Sequence, residues 1–164
     1  MKILKAEIRD LPQLAVIYDH ARRLMRESGN PTQWREGHPA PELLLEDIAR
    51  GQLYKVLEGD QLVGGFAFTE GPEEAYATLE GTWLNEEPYR VIHRIGAYGA
   101  KGVLREVIAW AMTQTDSLRI DTHEANAIMR RLLEREGFTY VGRVTLPDGD
   151  HRRAYHKVNP KGGI

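Results

Sequence analysis

The sequence contains no cysteine among its 164 residues. This absence excludes disulfide bonds, thiolate metal ligands and thiol nucleophiles in this chain. The sequence also has little net charge, because 22 lysine and arginine residues nearly offset 24 aspartate and glutamate residues, leaving −2 at pH 7. A protein whose main ligand is a nucleic acid usually has a strongly basic domain, so we expect no nucleic-acid partner.

Long apolar runs are missing as well. A membrane-spanning helix needs a run of about 18 apolar residues, and the sequence contains none. Lys2 and Lys5 interrupt the apolar residues at the start of the chain, which does not match the apolar core of a signal peptide. We therefore expect a cytoplasmic protein with no membrane partner. Because a typical domain has about 150 residues, we predict a single domain over residues 1–164.

Helix-like and strand-like patterns alternate along the chain in the predicted order β-α-α-β-β-β-β-α-β-α-β-β. We expect Asp10 to cap the first helix with Gln13 as its reciprocal partner, and we predict a weaker strand over 75–80. Successive hairpins predict antiparallel pairing, whereas the strand-helix-strand stretch over 91–121 predicts one parallel pair. The expected fold class is α+β, with a mixed, mostly antiparallel sheet and helices on both faces.

A glycine-rich loop joins a predicted strand to a predicted helix in the middle of the chain. Gly96, Gly99 and Gly102 would let the backbone approach a ligand, and free N–H groups at the helix start bind anions. The phosphate-loop motif fails, because Lys101 is followed by glycine, and the dinucleotide motif G-x-G-x-x-G fails on spacing. The alternative is a strand-to-helix turn that merely requires glycine.

Several stretches resemble the GCN5-related N-acetyltransferase (GNAT) superfamily. Strand 91–97 and the loop and helix over 99–112 are similar to the family's central elements. Residues 126–138 resemble its pattern N-x-x-A-x-x-L-Y-x-x-x-G-F, and 54–65 and 83–95 resemble one bacterial subgroup. The resemblance covers nearly the whole chain and implies the family's acyl-CoA N-acyltransferase fold.

The resemblance also implies an N-acetyltransferase with acetyl-CoA as co-substrate, which transfers its acetyl group by direct attack of a primary amine in a ternary complex. The acceptor we expect is a small molecule or a free amino group, since no acidic docking tract for a histone is present. A homodimer is common in the family. The implied cofactor-binding residues are Ile95, whose amide would polarise the thioester oxygen, Gly96, Ala97, Gly99, Ala100, Lys101, Gly102, Val103 and Asn126.

The sequence departs from the family where a proton donor is usual. The family's tyrosine in the later helix is replaced by Leu133, and the loop has Gly99 in place of arginine. The candidate catalytic residues are His93, Tyr98, Thr122, His123 and Glu80. The two-residue period of a strand would put His93 on the face of Val91 and Ile95, although a hydrogen-bonded core histidine is the alternative.

Other interpretations stay open at this point. A non-catalytic acyl-CoA-binding sensor or partner module of the same fold would tolerate Leu133. The interpretation as a nucleotide-binding protein is supported by the glycine loop alone. No metal is expected, because His123 and Glu124 lack an apparent third ligand. Trp34 and Trp83 would either wall an acceptor cleft or anchor the core.

Overall fold

The structure is a computed structural model that describes residues 1–160, so that residues 161–164 at the end of the predicted domain lie outside the described residues. The chain divides into two compact units. The first unit comprises Met1–Thr69 and Ile92–Val107, and the second comprises Glu70–Val91 and the residues from Ile108 onward. The expectation of one domain stays a prediction. Within residues 1–160, every helix is too short or too polar to cross a membrane.

Strands and helices follow the predicted order along residues 1–160. The strands are β1 Lys2–Lys5, β2 Leu53–Glu58, β3 Gln61–Glu70, β4 Glu80–Gly81, β5 Arg90–Ala97, β6 Ser117–Thr122, β7 Thr139–Thr145 and β8 His151–Val158. The helices are α1 Leu11–Glu27, α2 Pro41–Ala49, α3 Val103–Gln114 and α4 Ala127–Arg135. Hydrogen bonding orders the strands β1-β2-β3-β5-β6-β8-β7-β4.

Most neighbouring strands in this order run antiparallel, as the hairpin signals predicted. The pairs β1·β2, β2·β3, β4·β7, β6·β8 and β7·β8 are antiparallel. The pair β5·β6 is parallel, with Arg90 opposite Leu118 and Val91 opposite Arg119. The α+β class and the single crossover through a helix are therefore confirmed.

The strand predicted over 75–80 is wrong. Glu74–Thr78 forms a 3₁₀ turn, and only Glu80–Gly81 pairs as a strand. Ala75 and Tyr76 are both buried. The apolar residues in this stretch therefore belong to a buried turn and not to a strand with alternating burial. A side chain at Gly81 would collide with the Val141 carbonyl, because the two backbones lie too close for any larger residue.

The capping box predicted at Asp10 and Gln13 is also wrong. Asp10 ends a 3₁₀ turn before α1, and its side chain makes no capping hydrogen bond to that helix. Instead Oδ2 accepts the Glu7 N–H at 2.7 Å and lies 2.9 Å from Lys55 Nζ on β2. Burial alone would raise the pKa of Asp10, but these two partners lower it below the ordinary value.

The core of the first unit combines residues of α1, α2 and β2. Its buried residues are Ala6, Leu14, Tyr18, Ala21, Trp34, Leu44 and Leu53. The ring of Trp34 meets that of Tyr18 edge-on at 5.7 Å, so the core interpretation of this tryptophan is confirmed. A Cβ at Gly65 or Gly96 would lie within 3.3 Å of Tyr18. The two glycines thus let α1 approach the sheet closely.

The second unit buries a histidine completely. His156 on β8 is 0% exposed. Its Nδ1 accepts the Leu84 N–H at 3.1 Å, so Nε2 carries the proton and donates to Ser117 Oγ at 2.8 Å. Burial, assisted by the nearby Arg119 charge, lowers the pKa of His156 from 6.5 to about 4. The imidazole is therefore neutral in the folded protein at neutral pH.

We expect His156 to make the protein less stable as the pH falls from 6.5 toward 4. In this interval the unfolded chain binds a proton at the ring and the folded chain does not, which removes about 2 kcal/mol of unfolding free energy near pH 5. Urea unfolding near pH 7 and near pH 5 measures this loss. Between pH 7 and pH 5, the His156→Gln variant should lose about 2 kcal/mol less unfolding free energy than the wild type. Equal losses in the two proteins would contradict the assignment.

Candidate functional site

Strand β5 contains one residue more than its partner β3 over the same length. Tyr98 N–H donates to the Val63 carbonyl at 2.9 Å, and Gly71 N–H donates to the Tyr89 carbonyl at 3.0 Å. Between these bonds β5 advances nine residues, from 89 to 98, and β3 advances eight, from 63 to 71. Arg94 has a φ of 51°, and every other non-glycine residue among residues 1–160 has a negative φ. We therefore assign a β-bulge to Arg94.

The side chain of Arg94 is fixed from a distant part of the sequence. Its Nε donates to Asp47 Oδ2 and its Nη2 to Asp47 Oδ1, both at 2.9 Å. The Asp47 side chain on α2 is only 2% exposed and also accepts a hydrogen bond from Gln52 Nε2 at 2.8 Å. This paired, doubly hydrogen-bonded geometry is the strong form of an arginine–carboxylate contact.

The bulge changes the argument for His93. Simple alternation would align Val91, His93 and Ile95 on one face, but the left-handed backbone at Arg94 interrupts the period between His93 and Ile95. The premise of uninterrupted alternation is therefore wrong. His93 itself is partly buried, and its role as a catalytic base stays a prediction.

The loop after β5 is open and is followed directly by the start of α3. Gly99 and Gly102 have φ values of 91° and 77°, and a Cβ at Gly102 would meet nothing within 4 Å. The first N–H groups of α3 have no partner within the helix, and the helix dipole places positive charge there. Val103 is buried against Gly64, while Lys101 is exposed. This arrangement suits a bound anion.

Tyr98 lies between the bulged strand and this loop. Its ring stacks on His20 of α1, with centroids 4.0 Å apart and planes inclined by 19°. The side chain is about half exposed and lines a cavity of about 430 Å³ together with Gly99, Val16 and Gln61. Its role as a proton donor stays a prediction.

The remaining catalytic candidates lie in the second unit, and two of them have strong local partners. His123 Nδ1 accepts the Ala125 N–H at 2.9 Å. The Glu80 carboxylate accepts two hydrogen bonds from Arg143, at 2.6 and 2.8 Å. Thr122 is buried. None of these contacts assigns a catalytic role, so all three roles stay predictions.

Helix α4 holds the two positions that the family resemblance singled out. Asn126 caps the helix, because its Oδ1 accepts the Met129 N–H at 3.1 Å. Leu133, at the position of the family's tyrosine, is 0% exposed. Arg130 donates from Nη1 to the Glu124 carbonyl at 2.9 Å. The helix thus offers an apolar core contact where the family usually has a hydroxyl.

The second unit contains an aromatic cavity of about 440 Å³ that sequence reasoning largely missed. Trp83 and Tyr89 line it and enclose the Arg119 guanidinium, whose carbon lies 3.9 Å from each ring centroid. Tyr76 also lines it, and its hydroxyl donates to Asp121 Oδ2 at 2.8 Å. Burial and then the Asp121 carboxylate raise the pKa of Tyr76 well above its ordinary value. Of the residues that line this cavity, only Trp83 was a candidate for an acceptor cleft in the sequence. The cavity was otherwise missed because its residues come from distant segments.

Carboxylates border this cavity and an adjoining one of about 640 Å³, with which it shares Pro72, Glu86 and Tyr89. The acidic residues around the two cavities are Glu70, Glu73, Glu86 and Glu87. The Glu86 side chain is 84% exposed, whereas that of Arg119 is 3% exposed. Arg90 also lines the larger cavity, but its side chain is 28% exposed and lies 3.7 Å from that of Glu70, which is 79% exposed. The charge that meets solvent here is therefore mainly negative. The sequence has no contiguous acidic tract, and the fold assembles this group from two segments.

No protein-family model matches the sequence, and no curated protein matches it. A GNAT-family acetyltransferase from Streptococcus agalactiae 2603 is 29% identical and has a TM-score of 0.85, over 98% of this chain and 96% of its own.

Two further solved structures share the fold at lower identity. A ribosomal-protein-alanine N-acetyltransferase from Brucella melitensis is 18% identical, with a TM-score of 0.60 over 97% of this chain and 100% of its own. A Bacillus subtilis acetyltransferase in complex with CoA is 14% identical, with a TM-score of 0.55 over 75% of this chain and 86% of its own. The chain therefore has the fold of the GNAT acetyltransferases, as the sequence resemblance predicted.

Proposed function

We propose that the protein transfers an acetyl group from acetyl-CoA to a primary amine by direct attack in a ternary complex. The observation that carries the proposal is the bulged end of β5 leading into an open glycine loop and a helix start, in a chain 29% identical to a GNAT-family acetyltransferase. The Bacillus subtilis neighbour crystallised with CoA supports a CoA-type co-substrate. Bound acetyl-CoA supplies the activated acetyl group as a thioester.

Backbone donors do most of the binding in this proposal. The amides of residues 99–103 hold the pyrophosphate, because the helix start and the exposed Lys101 both favour an anion. The strand end over 95–97 presents its backbone to the pantetheine arm, and the Ile95 N–H polarises the thioester carbonyl. The contact of Asn126 with the same arm stays a prediction from the family resemblance. The absence of cysteine means that the acetyl group does not pass through a thiol of this chain.

In this proposal the acceptor binds as a positively charged ammonium group, which then loses a proton and attacks as the neutral amine. The exposed carboxylate of Glu86 and the partly buried one of Glu73, beside the rings of Trp83 and Tyr89, support this choice, since carboxylates and aromatic rings both attract ammonium groups. A small amine or a free amino group would fit a cavity of about 440 Å³. The proton acceptor and donor belong to the set His93, Tyr98, Thr122, His123 and Glu80, or to water.

A second candidate function is a non-catalytic acyl-CoA-binding module of the same fold. The complete burial of Leu133 at the position of the usual tyrosine favours this candidate. Homodimerisation and a cytoplasmic location remain sequence-based predictions for either function.

Release of free CoA thiol from acetyl-CoA, measured across a panel of primary amines, separates the two functions. We expect release that depends on both protein and amine. No release across a broad panel, together with thermal stabilisation by acetyl-CoA, would favour the binding module. Stabilisation by ATP or NAD but not by CoA would contradict both functions and favour a nucleotide-binding protein.

Gly102→Ala should weaken CoA binding by about five- to thirtyfold, because the alanine relaxes in the free loop and its return to the left-handed conformation on binding costs about 1–2 kcal/mol. Gly149→Ala is the matched control, since Gly149 has a φ of 89° and its Cβ would also meet nothing within 4 Å. Both variants should lose similar unfolding free energy. Isothermal titration with CoA should detect weaker binding in the loop variant only, and equal affinities in the two variants would argue against the proposed site.

Glu86→Gln should raise the KM for a cationic amine by about two- to fivefold, the range for a solvent-exposed charge. The KM for acetyl-CoA should stay the same, because the substitution acts on the acceptor. Glu134→Gln is the control, because Glu134 is an exposed residue of α4 and this substitution also removes one negative charge. The placement of the acceptor fails if the two variants have the same amine KM.

A further inference from the structure

Strand β5 adopts a backbone conformation that its sequence does not favour at the bulge. Arg94 lies in the left-handed region with a φ of 51°, where a residue with a Cβ is disfavoured and glycine is usual. Such a conformation persists only where the surroundings over-determine it, and these places cluster at functional sites. The question is which contact holds Arg94 in place.

The holding contact comes from α2, 47 residues away in the sequence. Both oxygens of Asp47 accept hydrogen bonds from the Arg94 guanidinium. Asp47 cannot turn away easily, because its side chain is buried and Gln52 donates a further hydrogen bond to Oδ1. Since both ends of the contact are fixed, the guanidinium sets the direction of the Arg94 side chain and therefore of the backbone that carries it.

The backbone immediately after the bulge is also closely packed. A Cβ at Gly96 would lie 3.2 Å from Tyr18 and 3.4 Å from both Ala21 and Ile17, so β5 lies directly against α1 there. The strand direction between Arg94 and Gly96 is thus held by an ion pair at one point and by helix packing two residues later. Ile95, whose N–H we assign to the thioester, lies between these two points.

We infer that Asp47 is a positioning residue for acyl transfer, which acts through Arg94 to orient the backbone of residues 95–97 toward the acyl donor. This inference rests on the proposed function. Asp47 touches neither substrate in this scheme and is not a catalytic residue. A displacement of about 1 Å at a reacting group costs up to about a hundredfold in rate, so the ion pair has a measurable consequence for kinetics.

Asp47→Asn tests the inference against a matched buried pair in the same unit. The control is Asp10→Asn, which weakens the pair between Asp10 and Lys55. Both substitutions should reduce the urea midpoint. Only Asp47→Asn should weaken CoA binding, measured by calorimetry without an amine, and raise the KM for acetyl-CoA while leaving the amine KM unchanged. It should also lower kcat by up to about a hundredfold, whereas Asp10→Asn should leave kcat unchanged.

Two substitutions at Arg94 separate strain from pairing and serve if Asp47→Asn does not fold. Arg94→Gly keeps a residue that adopts positive φ freely, whereas Arg94→Ala loses both the pair and that freedom. We expect CoA affinity to fall further in Arg94→Ala. Adding Asp47→Asn to Arg94→Gly should cause no further loss, because the carboxylate acts only through the guanidinium.

The outcomes distinguish this inference from the proposed function. If the wild-type protein binds CoA and releases thiol but Asp47→Asn and Asp10→Asn reduce CoA affinity equally, the positioning role is wrong and the function stands. The same conclusion follows if Arg94→Ala binds CoA as tightly as the wild type. If the wild-type protein binds no CoA, both the function and the inference are wrong.

Discussion

The contact between Arg94 and Asp47 is the constraint on which the first unit's candidate site depends. It stabilises a left-handed residue inside a strand, and the backbone that follows contains the donors we assign to acetyl-CoA. Backbone N–H groups are the same in every residue, so their chemistry depends on where the chain is held. The loss of the family's arginine at Gly99 leaves these donors in place, because glycine contributes an N–H like any other residue.

In the second unit, buried groups fix the segment that borders the aromatic cavity. The Leu84 N–H is bound by neutral His156, and the Asn85 carbonyl accepts from Arg119 Nη2 at 2.9 Å. Trp83 Nε1 donates to the Tyr76 carbonyl at 3.2 Å. Because the cation is recessed between two rings, the exposed carboxylates dominate the charge that a small molecule meets.

Local sequence signals predicted the hairpins, the helices and the parallel pair, since each depends on periodicity, turn residues or a short crossover. They failed where a distant residue decides the outcome. Asp10 looked like a helix cap, but Lys55 on β2 draws its carboxylate away. Residues 75–80 looked like a strand because apolar residues recur in this stretch. The fold instead buries Ala75 and Tyr76 within a turn. Alternation along β5 fails at Arg94, whose partner is on α2.

By itself, the sequence determined the family resemblance, the glycine loop before a helix start, and the exclusion of an enzyme thiol. These features depend on residue types, or on spacings within a few residues. The tertiary structure alone decided which charges are paired, which are recessed and which face solvent. Asp47 with Arg94 and Tyr76 with Asp121 join positions 47 and 45 residues apart. Contacts over such separations leave no local pattern, since only the folded chain brings the partners together.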